Sequence, residues 1–178
     1  MATTREQRGT ASQRLRRKLQ QQIGLGRTAL LLVLLVSLLN QLLLLLKVNF
    51  HFLFSASVPY YLNWLARKLG GPAGATPLKV IAVIVTLLIY FVYVACWLFS
   101  ARRREFLKTV LLLYCADTVL LVIFACALLN NPFNCLLEVL THLIVIAVLY
   151  MAHRAAQQLR RMPKKRKPRP EPLPEENY

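Results

Sequence analysis

The sequence predicts an all-α membrane protein: an antiparallel bundle of four transmembrane helices with a short interfacial helix after the first span. The chain is 57% apolar over its 178 residues, above the roughly 45–50% of soluble proteins. Residues 28–46 and 80–101 carry no charge over 19 and 22 positions, which is long enough for a helix to cross the hydrocarbon core. A water-soluble enzyme, a disulfide-stapled scaffold and a disordered chain are therefore excluded.

The four predicted spans are residues 28–47, 79–100, 106–129 and 133–152. The connections 102–105 and 130–134 are short, and short connections make consecutive helices antiparallel neighbours. The domain organisation is a basic N-terminal arm at 1–27, a four-helix domain at 28–153 and a basic, then acidic and proline-rich tail at 154–178. We expect the arm to be mobile or to lie at the interface.

The basic residues predict the orientation. All but four of the 23 Lys and Arg residues lie in the N-terminal arm, in segment 102–108 or beyond residue 153. Because cytoplasmic segments carry the excess of Lys and Arg, we expect a multi-pass plasma-membrane protein with both termini in the cytoplasm. The net charge of +16 predicts no nucleic-acid partner, since the basic segments alternate with apolar spans and not with stacking aromatics. A cleaved signal peptide is the less favoured alternative for the first span, whose apolar run is too long for one.

The outer segment 49–71 is rich in aromatic residues, which favour the membrane–water boundary. Ser57 is placed to cap a short helix, in which Tyr61, Leu65 and Leu69 are spaced by four along one face. This pattern favours a helix in the outer interface over a re-entrant segment, whose backbone would need protein cover. The residues assigned to this interfacial aromatic segment are Phe52, Phe54, Pro59, Tyr60, Tyr61 and Trp64.

Four polar residues lie where hydrocarbon disfavours them. Asp117 is near the middle of the third span, about 16 Å from its start at 1.5 Å per residue. Glu138 and His142 are four apart on one face of the fourth span, and Asn40 lies in the outer half of the first. These depths predict one intramembrane polar cluster of Asn40, Asp117, Glu138 and His142 in the outer half of the bundle.

Several roles are open for this cluster. Hydrogen bonds between helices are favoured, at about 0.6–2 kcal/mol each. An ion or proton site comes next, because Asp, Glu and His mark ion paths in membranes. A site for an unknown metal is open as well, since imidazole and carboxylate suit zinc or iron. Catalysis is least favoured because no catalytic motif or nucleophile is recognisable. No cofactor is predicted.

Two further features lie near the ends of the fourth span. Cys126 and Cys135 flank the short loop 130–134 and are candidates for a disulfide between the third and fourth spans, although no CxxC spacing supports it. The basic residues of the tail are Lys164, Lys165, Arg166, Lys167 and Arg169. Their position after a membrane helix favours binding to anionic lipid headgroups at the cytoplasmic face over a nuclear-import signal.

The residues that carry a resemblance are the segment FLFSASVPYYL at 52–62, Asp117, Glu138, His142, Val145, Leu149 and Tyr150. Over roughly residues 25–162 the chain resembles a family of small four-helix integral membrane proteins from bacteria of the Gram-positive type. That family often has Asp where this chain has Glu138, which keeps a carboxylate. The family has no assigned activity, so the resemblance implies the architecture and no function.

The sequence therefore predicts a non-enzymatic membrane component that acts structurally or by binding a partner, which is a membrane protein or a second copy of the chain. The alternative is a small ion- or proton-coupled transporter that uses Asp117, Glu138 and His142. Both predictions require that the protein lies in a lipid bilayer.

Overall fold

The structure is a computed structural model that describes residues 4–48, 50, 52–53, 55–70, 77–128 and 132–162. This part of the chain forms five helices: α1 Thr4–Leu45, α2 Ser57–Leu69, α3 Pro77–Ser100, α4 Phe106–Leu128 and α5 Pro132–Arg161. All of these except α2 contain a stretch that is long and apolar enough to cross a membrane. The described chain is thus all-helical, and the predicted number of spans is confirmed.

The four long helices pack side by side, and the contacts between them define two ends of the bundle. Arg27 on α1 donates a hydrogen bond to Ser100 at the end of α3, and Tyr90 on α3 donates one to the carbonyl of Ser37. These two pairs make α1 and α3 antiparallel. We call the end that contains Ser100 and the arginine-rich connection to α4 the basic end, and the opposite end the far end. Residues from α1, α3, α4 and α5 share the core, including Leu30, Tyr93, Val110 and Leu149.

The outward faces of the long helices are apolar. Leu35, Ile84, Val119 and Ile144 lie on four different helices, and each is about half exposed. Contiguous exposed apolar surface of this kind is rare on a water-soluble protein. The surface therefore agrees with the composition in indicating a multi-pass membrane protein.

The N-terminal arm differs from the separate segment that we expected. Helix α1 begins at Thr4, which is 24 residues before the predicted first span, and it continues without interruption into that span. Leu19 and Ile23 are buried in a cluster with Ala155 and Ala156 of α5. The arm is helical because its apolar residues continue the face of α1 that packs against α5.

Close approach of α1 and α5 depends on one glycine. A Cβ atom built on Gly26 would overlap the Cβ of Ala152, whereas one built on Gly24 would meet nothing within 4 Å. Small residues at a helix–helix contact let the backbones come close together, which strengthens van der Waals packing. The contact at Gly26 thus joins the basic ends of α1 and α5.

The position of α2 differs from that of a helix lying across the end of the bundle. After α1 the chain turns back at Lys47, which has a positive φ of 59°, and returns along α1. The N–H of Ala56 donates a 2.7 Å hydrogen bond to Ser37 Oγ, eight residues before the end of α1, or about 12 Å along it. From that depth α2 runs beside α3 towards the far end, so its first turn is enclosed by the long helices.

Several predicted features lie outside the described residues. They are Phe54 of the aromatic segment, the side chains of Cys126 and Cys135, and the basic tail residues Lys164, Lys165, Arg166, Lys167 and Arg169.

Candidate functional site

Asp117 on α4 accepts the first two backbone N–H groups of α2. Ser57 N lies 2.9 Å from Oδ2 and Val58 N lies 3.0 Å from Oδ1. The first N–H groups of a helix have no partner within it, and the partial positive charge at this end favours a carboxylate. Asp117, only 5% exposed, is therefore the cap of α2. The prediction that Ser57 caps the helix is wrong: Ala56 is the N-cap residue and makes no side-chain cap.

Glu138 on α5 binds two hydroxyl groups of α2. Ser57 Oγ lies 2.7 Å from Oε1, and the hydroxyl of Tyr61 lies 2.8 Å from Oε2. Each hydroxyl donates to a different carboxylate oxygen, and Glu138 is only 2% exposed. Two carboxylates from two helices thus hold the first turns of α2, one through the backbone and one through side chains.

His142 lies between the two carboxylates and is fully buried. Its Nδ1 lies 2.9 Å from the carbonyl oxygen of Glu138, and since a carbonyl only accepts, Nδ1 carries a proton. Nε2 lies 3.2 Å from Asp117 Oδ2 and 3.3 Å from Ser57 Oγ. The ring stacks on Tyr114, with centroids 5.0 Å apart and planes at 17°. Packing and hydrogen bonds together fix the orientation of this imidazole.

The hydrogen bonds favour one arrangement of protons. Ser57 has a single hydroxyl proton, which the 2.7 Å contact assigns to Glu138. Nε2 and Asp117 Oδ2 then need one proton between them, because two acceptors would otherwise face each other at 3.2 Å. Glu138 is left as the acceptor of two hydroxyl protons.

Asn40 was predicted to join this cluster, but it belongs to a neighbouring network. Its Nδ2 donates to the carbonyl of Phe52 at 2.8 Å and to Ser55 Oγ at 2.9 Å. Its Oδ1 accepts the N–H of Phe52 at 2.7 Å. Asn40 thus holds the segment that returns from α1, and Asp117, Glu138 and His142 form the cluster without it.

Sequence reasoning missed most of the partners of the cluster. The hydroxyl of Tyr114 donates to the carbonyl of Ser55 at 3.4 Å. Ser37 Oγ accepts the N–H of Ala56, and Ser57 Oγ donates to Glu138. One signal was present: Ser55-Ala56-Ser57 is a run of small residues, and all three are almost fully buried. Small side chains let this segment enter between the long helices.

The predicted aromatic segment is divided in the structure. Pro59 and Tyr61 are buried against the other helices, while Tyr60 and Trp64 are partly buried. Phe52 is 41% exposed. Lys68 lies 5.0 Å from the centroid of the Trp64 ring. Tyr61 thus acts as a hydrogen-bond donor inside the protein, and only part of the segment faces outward.

Among the side chains that the structure describes, no group of three or more His, Cys, Asp and Glu residues is arranged to hold a metal ion. Asp117 and His142 contact each other directly, and both oxygens of Glu138 accept hydroxyl protons of α2. The oxygen and nitrogen atoms of the cluster that could bind a metal are thus directed at one another and at α2.

Comparison of the chain with protein-family models, curated proteins and solved structures gives no match. The resemblance to small four-helix bacterial proteins therefore stays a prediction.

Proposed function

We propose that the chain is a multi-pass plasma-membrane protein without enzymatic activity, which acts structurally or by binding a partner. In this proposal Asp117, Glu138 and His142 anchor α2. The observation that carries it is the use of the two carboxylates: Asp117 binds two backbone N–H groups and Glu138 binds two hydroxyl groups of the same short helix. The carboxylate oxygens of the cluster therefore serve to hold α2 in place.

The membrane placement follows from charge and depth. The basic end and both termini lie in the cytoplasm by the distribution of Lys and Arg. Asp117 is about 16 Å along α4, so the first turn of α2 reaches the middle of the bilayer and α2 is re-entrant. Irregular backbone is tolerated at that depth where protein covers it. The burial of Ser55, Ala56 and Ser57 supports this arrangement.

Hydrolysis is the function that Ser57 and His142 superficially suggest, because Ser57 Oγ lies 3.3 Å from Nε2. A serine nucleophile needs a free hydroxyl and donors for the oxyanion. Here the hydroxyl donates to Glu138, the backbone N–H of Ser57 donates to Asp117, and Ser57 is 1% exposed. These contacts favour an anchor over a nucleophile.

Proton-coupled transport is the second candidate, and one observation favours it. Ser57 Oγ is within hydrogen-bond distance of both Glu138 and His142, so a proton can pass from Nε2 through the hydroxyl to the carboxylate. The resulting neutral Nε2 would face the carboxylate of Asp117 at 3.2 Å, which disfavours that arrangement.

Proton flux in liposomes distinguishes the two candidates. The wild-type chain and Asp117→Asn are reconstituted in vesicles that contain a pH-sensitive dye, and a potassium diffusion potential is imposed. An anchor predicts the flux of protein-free vesicles for both chains, together with a lower unfolding temperature of Asp117→Asn in detergent. Flux above that of protein-free vesicles that is lost in Asp117→Asn, with unchanged stability, would replace the anchor by a transport site.

A further inference from the structure

A cleft of about 320 Å³ lies between α1, α2 and α3, apart from the polar cluster. Its volume is at the lower end of the range for small-molecule sites, roughly 300–1,000 Å³. Leu38, Val83 and Leu87 contribute apolar surface, and two cations, Arg67 and Lys79, line it as well. Because none of the residues that line this cleft is acidic, the cleft carries positive charge.

The charges lie at one end of the cleft. Arg67 donates a hydrogen bond to the carbonyl of Leu44 in the last turn of α1, and Lys79 lies in the first turn of α3. Leu87 lies eight residues after Lys79 along α3, or about 12 Å deeper. The cleft is therefore cationic at the far end of the bundle. Towards its middle it is mostly apolar, and the two hydroxyl groups that line it there, those of Thr86 and Tyr90, are hydrogen-bonded within the protein.

One polar group in the wall is incompletely hydrogen-bonded. The Nε2 of Gln41 is buried and makes no hydrogen bond of good geometry among the described residues, although its side chain lies close to the hydroxyl of Tyr90 and both residues line the cleft. Buried amide groups are normally hydrogen-bonded. A bound molecule with an acceptor oxygen below its charged group would satisfy this N–H group.

We infer that this cleft binds an anionic glycerophospholipid, with its phosphate at Arg67 and Lys79, an ester oxygen near Gln41 and part of an acyl chain between Leu38 and Leu87. The match rests on polarity: a lipid has its charge at the membrane boundary, its ester oxygens next and its apolar chain deepest. Arg67 is suited to a phosphate because its guanidinium has several N–H donors. The inference uses the membrane placement proposed above and is independent of the role of the polar cluster.

Lipid binding to the purified full-length chain tests the inference. Fluorescent phosphatidylglycerol and phosphatidylcholine are titrated against the protein in a nonionic detergent. We expect saturable binding of one phosphatidylglycerol per cleft, with about tenfold weaker binding of phosphatidylcholine. Arg67→Gln and Lys79→Gln should each weaken phosphatidylglycerol binding by three- to tenfold.

Lys68→Gln is the matched control, since Lys68 neighbours Arg67 on α2 but contacts Trp64 and does not line the cleft. We expect this variant to bind as the wild type does. Val83→Trp should block binding while leaving every charge in place, and because Val83 is half exposed, the variant is expected to fold. Its unfolding temperature checks that.

Three results would overturn the inference. Equal binding of the two phospholipids would remove the anionic headgroup from it, and an equal loss in Lys68→Gln would indicate attraction by surface charge alone. Tighter binding of a free fatty acid than of phosphatidylglycerol would assign the cleft to a carboxylate. None of these outcomes depends on proton flux, so this inference and the proposed function fail separately.

Discussion

In the far half of the bundle, buried carboxylates join the helices by hydrogen bonds, whereas in the basic half α1 and α5 meet through small side chains. Asp117 and Glu138 bind α2, while Gly26 faces Ala152 with no room for a further carbon atom. Hydrogen bonding and close packing both join helices in lipid, where apolar burial gives helices little reason to associate. In the basic half the hydrogen bond from Arg27 to Ser100 adds to the packing.

The difference follows from which helices are joined in each half of the bundle. Helices α1 and α5 satisfy their own backbone groups along the contact, so they need only fit together. Helix α2 begins inside the bundle, and its first N–H groups need acceptors that water cannot supply there. Buried carboxylates therefore bind the helix that begins inside the protein, whereas the close contact at Gly26 occurs where two complete helices pass each other.

The largest effect is expected from His142→Ala. The substitution removes the stacking on Tyr114 and the partner of Asp117, and it leaves a cavity at a fully buried position. We expect a loss of roughly 2–5 kcal/mol in the free energy of unfolding, measured by thermal or denaturant unfolding in detergent.

His153→Ala is the matched control, because His153 lies on the same helix near the basic end. Its side chain is partly exposed and its Nδ1 has no partner among the described residues. We expect a change within about 0.5–1 kcal/mol. Equal losses at the two histidines would contradict the division of the bundle into two differently stabilised halves.

The next largest effect is expected from Gly26→Ala in the basic half. The added methyl group overlaps Ala152, so α1 and α5 must separate, at a cost of roughly 1–3 kcal/mol. Gly24→Ala is the control on the same helix, where the new Cβ meets open space. That variant should gain up to about 1 kcal/mol from helix propensity. Unfolding curves that shift in the same direction for both variants would show that the close contact is not needed.

The smallest effect is expected from Tyr61→Phe, which removes one hydrogen bond to Glu138. The expected loss is about 0.5–1.5 kcal/mol. Combining Tyr61→Phe with Glu138→Gln in a double-mutant cycle isolates this bond from the other contacts of Glu138. A coupling energy indistinguishable from zero would mean that the Tyr61 hydroxyl contributes nothing to holding α2.

The sequence predicted the number of spans well because long apolar runs have few alternatives, and two of the four, 28–46 and 80–101, carry no charge at all. It also predicted that Asp117, Glu138 and His142 lie close together, since an ionisable side chain inside a membrane is costly unless it has a polar partner. The continuous helix in the N-terminal arm was not predicted, because the many basic residues of the arm are typical of a segment that only sets the topology. Its signal was the spacing of Leu19, Ile23 and Leu30, which continues the apolar face of α1.

The depth of α2 was not predictable from its own residues. The same apolar stripe suits a helix on the membrane surface and one that packs on α3. What decides is the pairing of the N–H groups of Ser57 and Val58 with Asp117, about 60 residues later in the chain. Every residue except proline has the same backbone N–H group, so the sequence pattern does not predict which of these groups Asp117 binds.

The attachment of α2 also sets an order of biosynthesis. Its anchors on α5 lie 81 and 85 residues beyond Ser57, and a ribosome that adds 5–20 residues per second needs several seconds to make them. Until α4 and α5 have entered the bilayer, the first turn of α2 has no acceptors at depth, whereas water at the membrane surface can hydrogen-bond it. With α2 re-entrant as proposed, we expect it to insert after α4 and α5, and its amphipathic composition suits a helix that lies at the membrane surface until then.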